Sequence, residues 1–233
     1  MNSLDIVEFI KKSLNKQYVL NKIIIGDPKA TEYNGKKTAW PLYAIQEIGE
    51  YLDSCDIKHW KKGDIDFDNA ILELVDVWHF IMSNVIKLNL EQALNIDNED
   101  LVNKIDNIFL LAPLDETVQR LIYLLLLLNS KRFPNKELIL YDLFSVFFTL
   151  VHITPSNIDI DHVDYFIKLW EGKQILNKVR TENGYKTGEY KKTINGKEDN
   201  EYMIEYIKTQ KPIEGLEEYL INLQKGDENE KSD

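Results

Sequence analysis

A single cysteine, Cys55, occurs in 233 residues. One thiol excludes an intramolecular disulfide and a cysteine-ligated zinc centre, and it fits a reducing cytoplasm. Long hydrophobic runs are missing too. The strongest, Leu121–Leu128, falls well short of the roughly 20 residues that a membrane-spanning helix needs, and it reads as a buried helix. The opening MNSLDIVEFIKKSLNKQ carries acids within an amphipathic pattern, unlike a signal peptide. Strand-type alternation is scarce and no repeat of fixed period occurs. No Gly-x-x-x-x-Gly-Lys-Ser/Thr loop is present, so the chain is not a P-loop protein. Basic side chains number 28 against 39 acids, and the net charge of −11 argues against wholesale binding of nucleic acid.

What is present is helical periodicity. Leu4, Ile6, Val7, Ile10, Leu14 and Tyr18 mark a helix over 3–20, with Gln17 and Asn21 four apart near its end. Residues 26–38 hold two Gly, one Pro and little apolar content, and read as a loop. A helix starts near Pro41, and after a loop over 56–69 another starts with Asp68 as its N-cap. Further helices are expected over 99–111, 115–129, 136–152 and 161–180. Residues 181–200 are punctuated by Gly and Asn and are expected to be irregular. Two short helices follow, over Asp199–Gln210 and Gly215–Gln224, and GDENEKSD is a charged tail expected to be disordered. The expected fold class is an all-α helical bundle. A single catalytic domain over 1–213 is followed by an acidic C-terminal extension over 214–233.

The chain is organised around 43–82. YAIQEIGEYLDSC places Glu47 and Glu50 three apart, and AILELVDVWHFIM does the same for Glu73 and Asp76. Residues three apart on a helix project from nearly the same face. Antiparallel packing of the two helices would gather four carboxylates. An ExxE pair is most often a solvated surface feature, but between Ile71 and Ser83 the only clearly polar side chains are Glu73, Asp76, His79 and Ser83. A helix this apolar is largely buried, and no Lys or Arg occurs between Gly63 and Ile86. Shielded, mutually repelling acids call for a cation, and oxygen-only ligation indicates a hard ion, Mg²⁺ or Mn²⁺. A di-iron bundle would need Glu-x-x-His on two helices, and only one Asp-x-x-His, Asp76 to His79, is present.

From Lys173 to Lys197 the chain holds seven basic residues and two acids, a local balance of 7 − 2 = +5. Asn183-Gly184 and Asn195-Gly196 specify turns, and Tyr185 and Tyr190 supply aromatic anchors. A solvated basic loop is the simplest reading. Beside an acid-bound metal, however, such cations are the second half of a phosphate site.

Taken together, TAW…QEIGEYLDS…KHWKK…ELVDVWHF and GKQILNKVRTENGYKTGEYKKTINGKEDNE closely resemble the dimeric all-α dUTPases of the MazG-like nucleoside triphosphate pyrophosphatase superfamily. The resemblance covers about residues 10–205. It implies that Glu47, Glu50, Glu73 and Asp76 hold Mg²⁺, with Glu47 orienting or deprotonating the attacking water. It implies a base read by Gln17 and Asn21, and a uracil and deoxyribose pocket shaped by Trp60, His79 and Phe80. It also implies a phosphate chain embraced by Lys173, Asn177, Arg180, Tyr185, Lys192 and Asn200. A mobile helical region closing over the substrate, a homodimer, and hydrolysis of dUTP and dUDP to dUMP are the further expectations. The alternatives are the same chemistry on another nucleotide such as dCTP, or a non-enzymatic, nucleotide-sensing helical protein.

Overall fold

A computed structural model describes residues 2–57, 63–94, 99–106 and 112–229. The chain separates into two compact units, Met1–Phe166 and Ile167–Asp233.

The first unit opens with α1 (Ser3–Ile25), whose Asn2 and Asp5 form a reciprocal capping box. A two-residue hairpin follows, β1 (Glu32–Tyr33) with β2 (Lys36–Lys37). Its turn is Asn34-Gly35, both at positive φ (50° and 73°), the conformation that a two-residue hairpin demands and that Asn-Gly adopts most readily. Next come α2 (Trp40–Ser54) and α3 (Phe67–Lys87). A 3₁₀ turn over Glu91–Leu94 leads to α4 (Glu99–Asp106), α5 (Leu114–Asn129), α6 (Lys136–Ile153) and the start of α7 (His162–Glu182). The expected helix over 99–111 is thus seen as far as Asp106, and 107–111 lie outside the described residues.

The entry to α3 departs from expectation. Asp66, not Asp68, is the N-cap, accepting from the Asn69 amide at 3.0 Å. Asp68 is the second residue of the helix, within its first turn, and accepts from the Tyr165 hydroxyl at 2.7 Å. Alternating aspartates in GDIDFD offer equivalent caps to the backbone, and tertiary pairing of Asp68 with Tyr165 selects between them.

Hydrogen bonds at both ends fix the relation of α2 to α3. The Asp66 amide donates to the Ser54 carbonyl at 2.9 Å, where α2 ends and α3 begins. At the other end the Lys87 ammonium reaches the Thr38 carbonyl. The helices are therefore antiparallel neighbours. Glu47, seven residues before Ser54, and Glu73, seven after Asp66, stand level across them. Trp40 stacks on Phe80 (centroids 6.0 Å apart) along the same seam.

Behind α3 lies an aromatic core. Trp78 is fully buried and its ring meets Phe147 at 4.8 Å, Phe148 at 5.3 Å, Phe144 at 5.4 Å and Phe9 at 5.9 Å. α6 is buried over most of its length, whereas α5 leaves Tyr123 and Leu126 exposed. Cys55 is buried, which pushes its thiol up to about 11; it stays protonated and unreactive at neutral pH.

The second unit continues α7 and adds a hairpin, β3 (Thr193–Ile194) with β4 (Lys197–Glu198), turning at Asn195-Gly196. It then adds α8 (Asp199–Lys208), a 3₁₀ turn over Ile213–Gly215, and α9 (Leu216–Asn229). Residues 181–200 are thus more ordered than their composition suggested. α8 lies against α7 at Gly172, where an added Cβ would come within 2.7 Å of Ile207 and 3.1 Å of Met203. The helix expected over Gly215–Gln224 is present, and residues 230–233 of the charged tail lie outside the described residues. α9 buries Leu216 and Leu220, stacks Tyr219 near Tyr206 at 5.1 Å, and runs on to Asn229. Apolar residues four apart give it a face to bury, and the acids occupy the other side. Among the described residues no helix is long and apolar enough to cross a membrane.

Candidate active site

Glu47 on α2 and Glu73 and Asp76 on α3 each present a carboxylate oxygen, all within 4.8 Å of one another. All three residues are half-buried. Glu73 is steadied by Asn69, whose amide Nδ2 donates to it at 3.1 Å and to Ser54 Oγ at 2.8 Å. Glu50 is exposed and stands outside this group. The same three-residue spacing keeps Glu73 and Asp76 together on α3, so spacing alone does not separate Glu50; the face that α2 turns toward α3 carries Glu47 and leaves Glu50 in solvent.

The donor set fits a hard divalent ion. Mg²⁺ is held by oxygens at about 2.0–2.1 Å, so three carboxylate oxygens within 4.8 Å of one another would draw closer together around a bound ion. Three like charges this close repel one another, and a cation among them relieves that repulsion.

One turn beyond Asp76, a buried polar network joins α3 to α1. Gln17, Asn21 and Ser83 are 4%, 3% and 1% exposed. Gln17 Nε2 donates to Asn21 Oδ1 at 2.8 Å and to Ser83 Oγ at 3.1 Å, and Asn21 Nδ2 donates to Ser83 Oγ at 3.1 Å. His79 Nδ1 meets Gln17 Oε1 at 2.7 Å. Because an amide oxygen only accepts, this contact assigns the imidazole proton to Nδ1. The structure therefore brings Gln17, Asn21 and His79 together, and adds Ser83, which sequence reading passed over as one more polar residue on the helix. Phe80, half-buried on the neighbouring face of α3, is edge-on to Tyr43 at 5.6 Å as well as stacked on Trp40. Trp60 lies outside the described residues.

The second unit has its own network. Arg180 grips the fully buried Asp199 with two bonds, Nη2 to Oδ1 at 2.7 Å and Nε to Oδ2 at 2.9 Å. Tyr190 adds a third donor to Asp199 at 3.0 Å, and burial beside this carboxylate raises the phenol. Asn200 Oδ1 accepts from Arg180 Nη2 at 3.2 Å and from Lys173 Nζ at 3.3 Å, so its own amide N–H₂ is turned away from both cations. Asn177 Oδ1 receives Arg180 Nη1 at 3.4 Å, and the exposed Tyr185 ring sits 6.0 Å from the guanidinium. Lys192 is exposed.

Folding thus changes the local charge inferred from sequence. Asp199, Glu217 and Glu205 fold back onto Arg180, Lys178 and Lys197 respectively. Asp199, the anchor of the whole group, was legible in sequence only as the start of a helix.

A cavity of about 590 Å³ lies elsewhere, between α4, α5 and α6, and includes Lys104, Arg120 and Asp142 but none of the three clustered acids. Lys104 and Asp142 pair with each other at 2.6 Å.

An all-α chain with carboxylates converging from adjacent antiparallel helices belongs to the class of helical proteins built around a candidate divalent-cation centre. The chain is a member of the dUTPase family, an all-helical family whose model matches residues 9–185. Its activity is accordingly that of a dUTP diphosphatase. The matched span includes the amide network and the acid cluster and ends at Tyr185, before Lys192, Asp199 and Asn200. No curated protein matches the sequence.

Proposed function

We propose that the protein hydrolyses dUTP to dUMP and pyrophosphate in a Mg²⁺-dependent reaction, and accepts dUDP through the same α–β phosphate bond. The observation that carries this reading is the convergence of Glu47, Glu73 and Asp76 within 4.8 Å in a chain of the dUTPase family. These three residues would hold the Mg²⁺ ion, with Mn²⁺ as a substitute and Glu50 as the fourth carboxylate of the set. When bound, the ion supplies charge neutralisation at phosphate oxygens and a more acidic water.

The remaining steps belong to the chain itself. Glu47, on the helix opposite the other two acids, takes the proton from the attacking water. The water oxygen bonds to the β-phosphorus while the bond from that phosphorus to the bridging oxygen breaks, and dUMP leaves with that oxygen. Lys173, Arg180 and Lys192 offset the charge that develops on the phosphates, with Asn177, Tyr185 and Asn200 holding them in place. Gln17, Asn21 and His79 meet the uracil, and a pocket without room for a 5-methyl group rejects thymine. Phe80 lies against C2′ of the sugar, where a ribose hydroxyl would lose its hydrogen bonds to water; Trp60 completes the base and sugar pocket. A homodimer with a closing helical region, acting in the cytoplasm, is the proposed working form. In that setting the reaction keeps uracil out of DNA and feeds thymidylate synthesis.

Pyrophosphate release from dUTP, dCTP, dTTP and UTP tests the reading. We expect dUTP to exceed each of the others in kcat/KM by at least ~10²-fold, the scale a hydrogen-bonded pocket achieves. Preferred turnover of dCTP would reassign the base pocket. Binding of dUTP without turnover would make the protein a nucleotide sensor.

A further inference from the structure

The two amides proposed to meet the base are almost entirely committed to one another. Gln17 Nε2 has two hydrogens, one on Asn21 Oδ1 and one on Ser83 Oγ, while Gln17 Oε1 accepts from His79. Asn21 Nδ2 places one hydrogen on Ser83 and keeps one more. Ser83 is where the chain of bonds ends. Its hydroxyl is placed to donate to the His79 carbonyl one turn back at 2.8 Å, closer than its 3.3 Å approach to Asn21 Oδ1. With its single proton engaged there, Ser83 Oγ can only accept from the two amides. Each amide must therefore turn its nitrogen toward α3, and neither can rotate by 180° without setting acceptor against acceptor.

We infer that Ser83 is a positioning residue that fixes the donor–acceptor polarity of Gln17 and Asn21 and thereby enforces the choice of uracil over cytosine. The inference rests on the reading above in which Gln17 and Asn21 meet the base. Uracil and cytosine differ by exchange of donor and acceptor at position 4 and at N3. An amide free to flip satisfies either base, whereas an amide held in one orientation satisfies one and leaves a buried polar group unpaired against the other. The hydrogen left on Asn21 Nδ2 is a donor, complementary to a uracil carbonyl and opposed to the cytosine amino group. Among the described residues only Ser83 contacts both amides from a second helix.

The test compares kcat/KM for dUTP and dCTP in the full-length protein, with melting curves as a folding control. Ser83→Ala is expected to reduce the dUTP/dCTP ratio by about tenfold or more, through a higher KM for dUTP, a lower KM for dCTP, or both. kcat at saturating dUTP should stay within a few-fold of wild type, because the reacting phosphates are untouched. Ser83→Cys, which keeps the shape of the side chain but accepts weakly, should move the ratio in the same direction and carries the test if the alanine variant does not fold. An unchanged ratio in either folded variant overturns the inference. Asn21→Ala separates the two levels. If it abolishes the preference while the Ser83 variants keep it, the positioning role alone fails. If it too leaves the ratio unchanged, the base-reading role of the amides fails.

Discussion

Replacing Glu47 by glutamine is expected to lower kcat for dUTP by about 10²–10⁴-fold, the usual contribution of a positioned general base, with the fold intact. Glutamine preserves the volume and hydrogen-bonding reach of a half-buried side chain on α2 but removes the charge that the proposed ligand and base roles require. The base role proposed for Glu47 follows the family resemblance, and its place in the acid cluster is compatible with it. Of the three clustered acids it alone comes from the helix opposite the other two, and its oxygen lies within 4.8 Å of both Glu73 and Asp76. Glu50 supplies the control. It is exposed and stands apart from the cluster, so Glu50→Gln should cost much less than Glu47→Gln. Steady-state rates for the two variants check the assignment, and turnover of the Glu47 variant within a few-fold of wild type would remove it from the proton-transfer step.

The second large effect is one of stability. Asp199 is 0% exposed and receives two bonds from Arg180 and one from Tyr190. Asp199→Ala would leave a nearly buried guanidinium without its carboxylate, and breaking such a pair costs about 3–5 kcal/mol. Denaturant unfolding measures it, and a loss below about 1 kcal/mol would show that the pair is solvated rather than structural. The converse is equally informative. Replacing both partners by apolar residues, Arg180→Met with Asp199→Leu, should recover much of that stability because no uncompensated charge remains. It should still lose the proposed phosphate contact. Arg180→Ala alone would confuse these effects, since it also strands the buried Asp199.

These two sites illustrate what the sequence could and could not disclose. The helices were legible because their apolar residues recur at helical spacing, Glu73 and Asp76 because a run as apolar as that around Trp78 makes any acid within it conspicuous, and Glu47 because its spacing to Glu50 on α2 matches theirs. Glu50 looked equivalent to Glu47, but which face α2 turns toward α3 is set by packing between the helices, and that leaves Glu50 in solvent. Gln17 and Asn21 could be paired by their four-residue spacing. Their partner Ser83 is 62 residues beyond Asn21, and nothing local marks it. Likewise, charge counted along 173–197 omits Glu205 and Glu217, which return from α8 and α9 to pair with Lys197 and Lys178. The N-cap of α3 was ambiguous because Asp66 and Asp68 are chemically alike. Only the distant Tyr165 hydroxyl distinguishes them.

Under the proposal above, the α2–α3 carboxylates make hydrolysis of dUTP depend on a divalent cation. Initial rates of dUTP hydrolysis in excess chelator, followed by titration with Mg²⁺, test it most directly, with products separated by anion-exchange chromatography. Turnover is expected to be lost in chelator and restored by Mg²⁺, with dUMP and pyrophosphate formed in equal amounts. Undiminished turnover in chelator, or release of inorganic phosphate and dUDP instead, would contradict it.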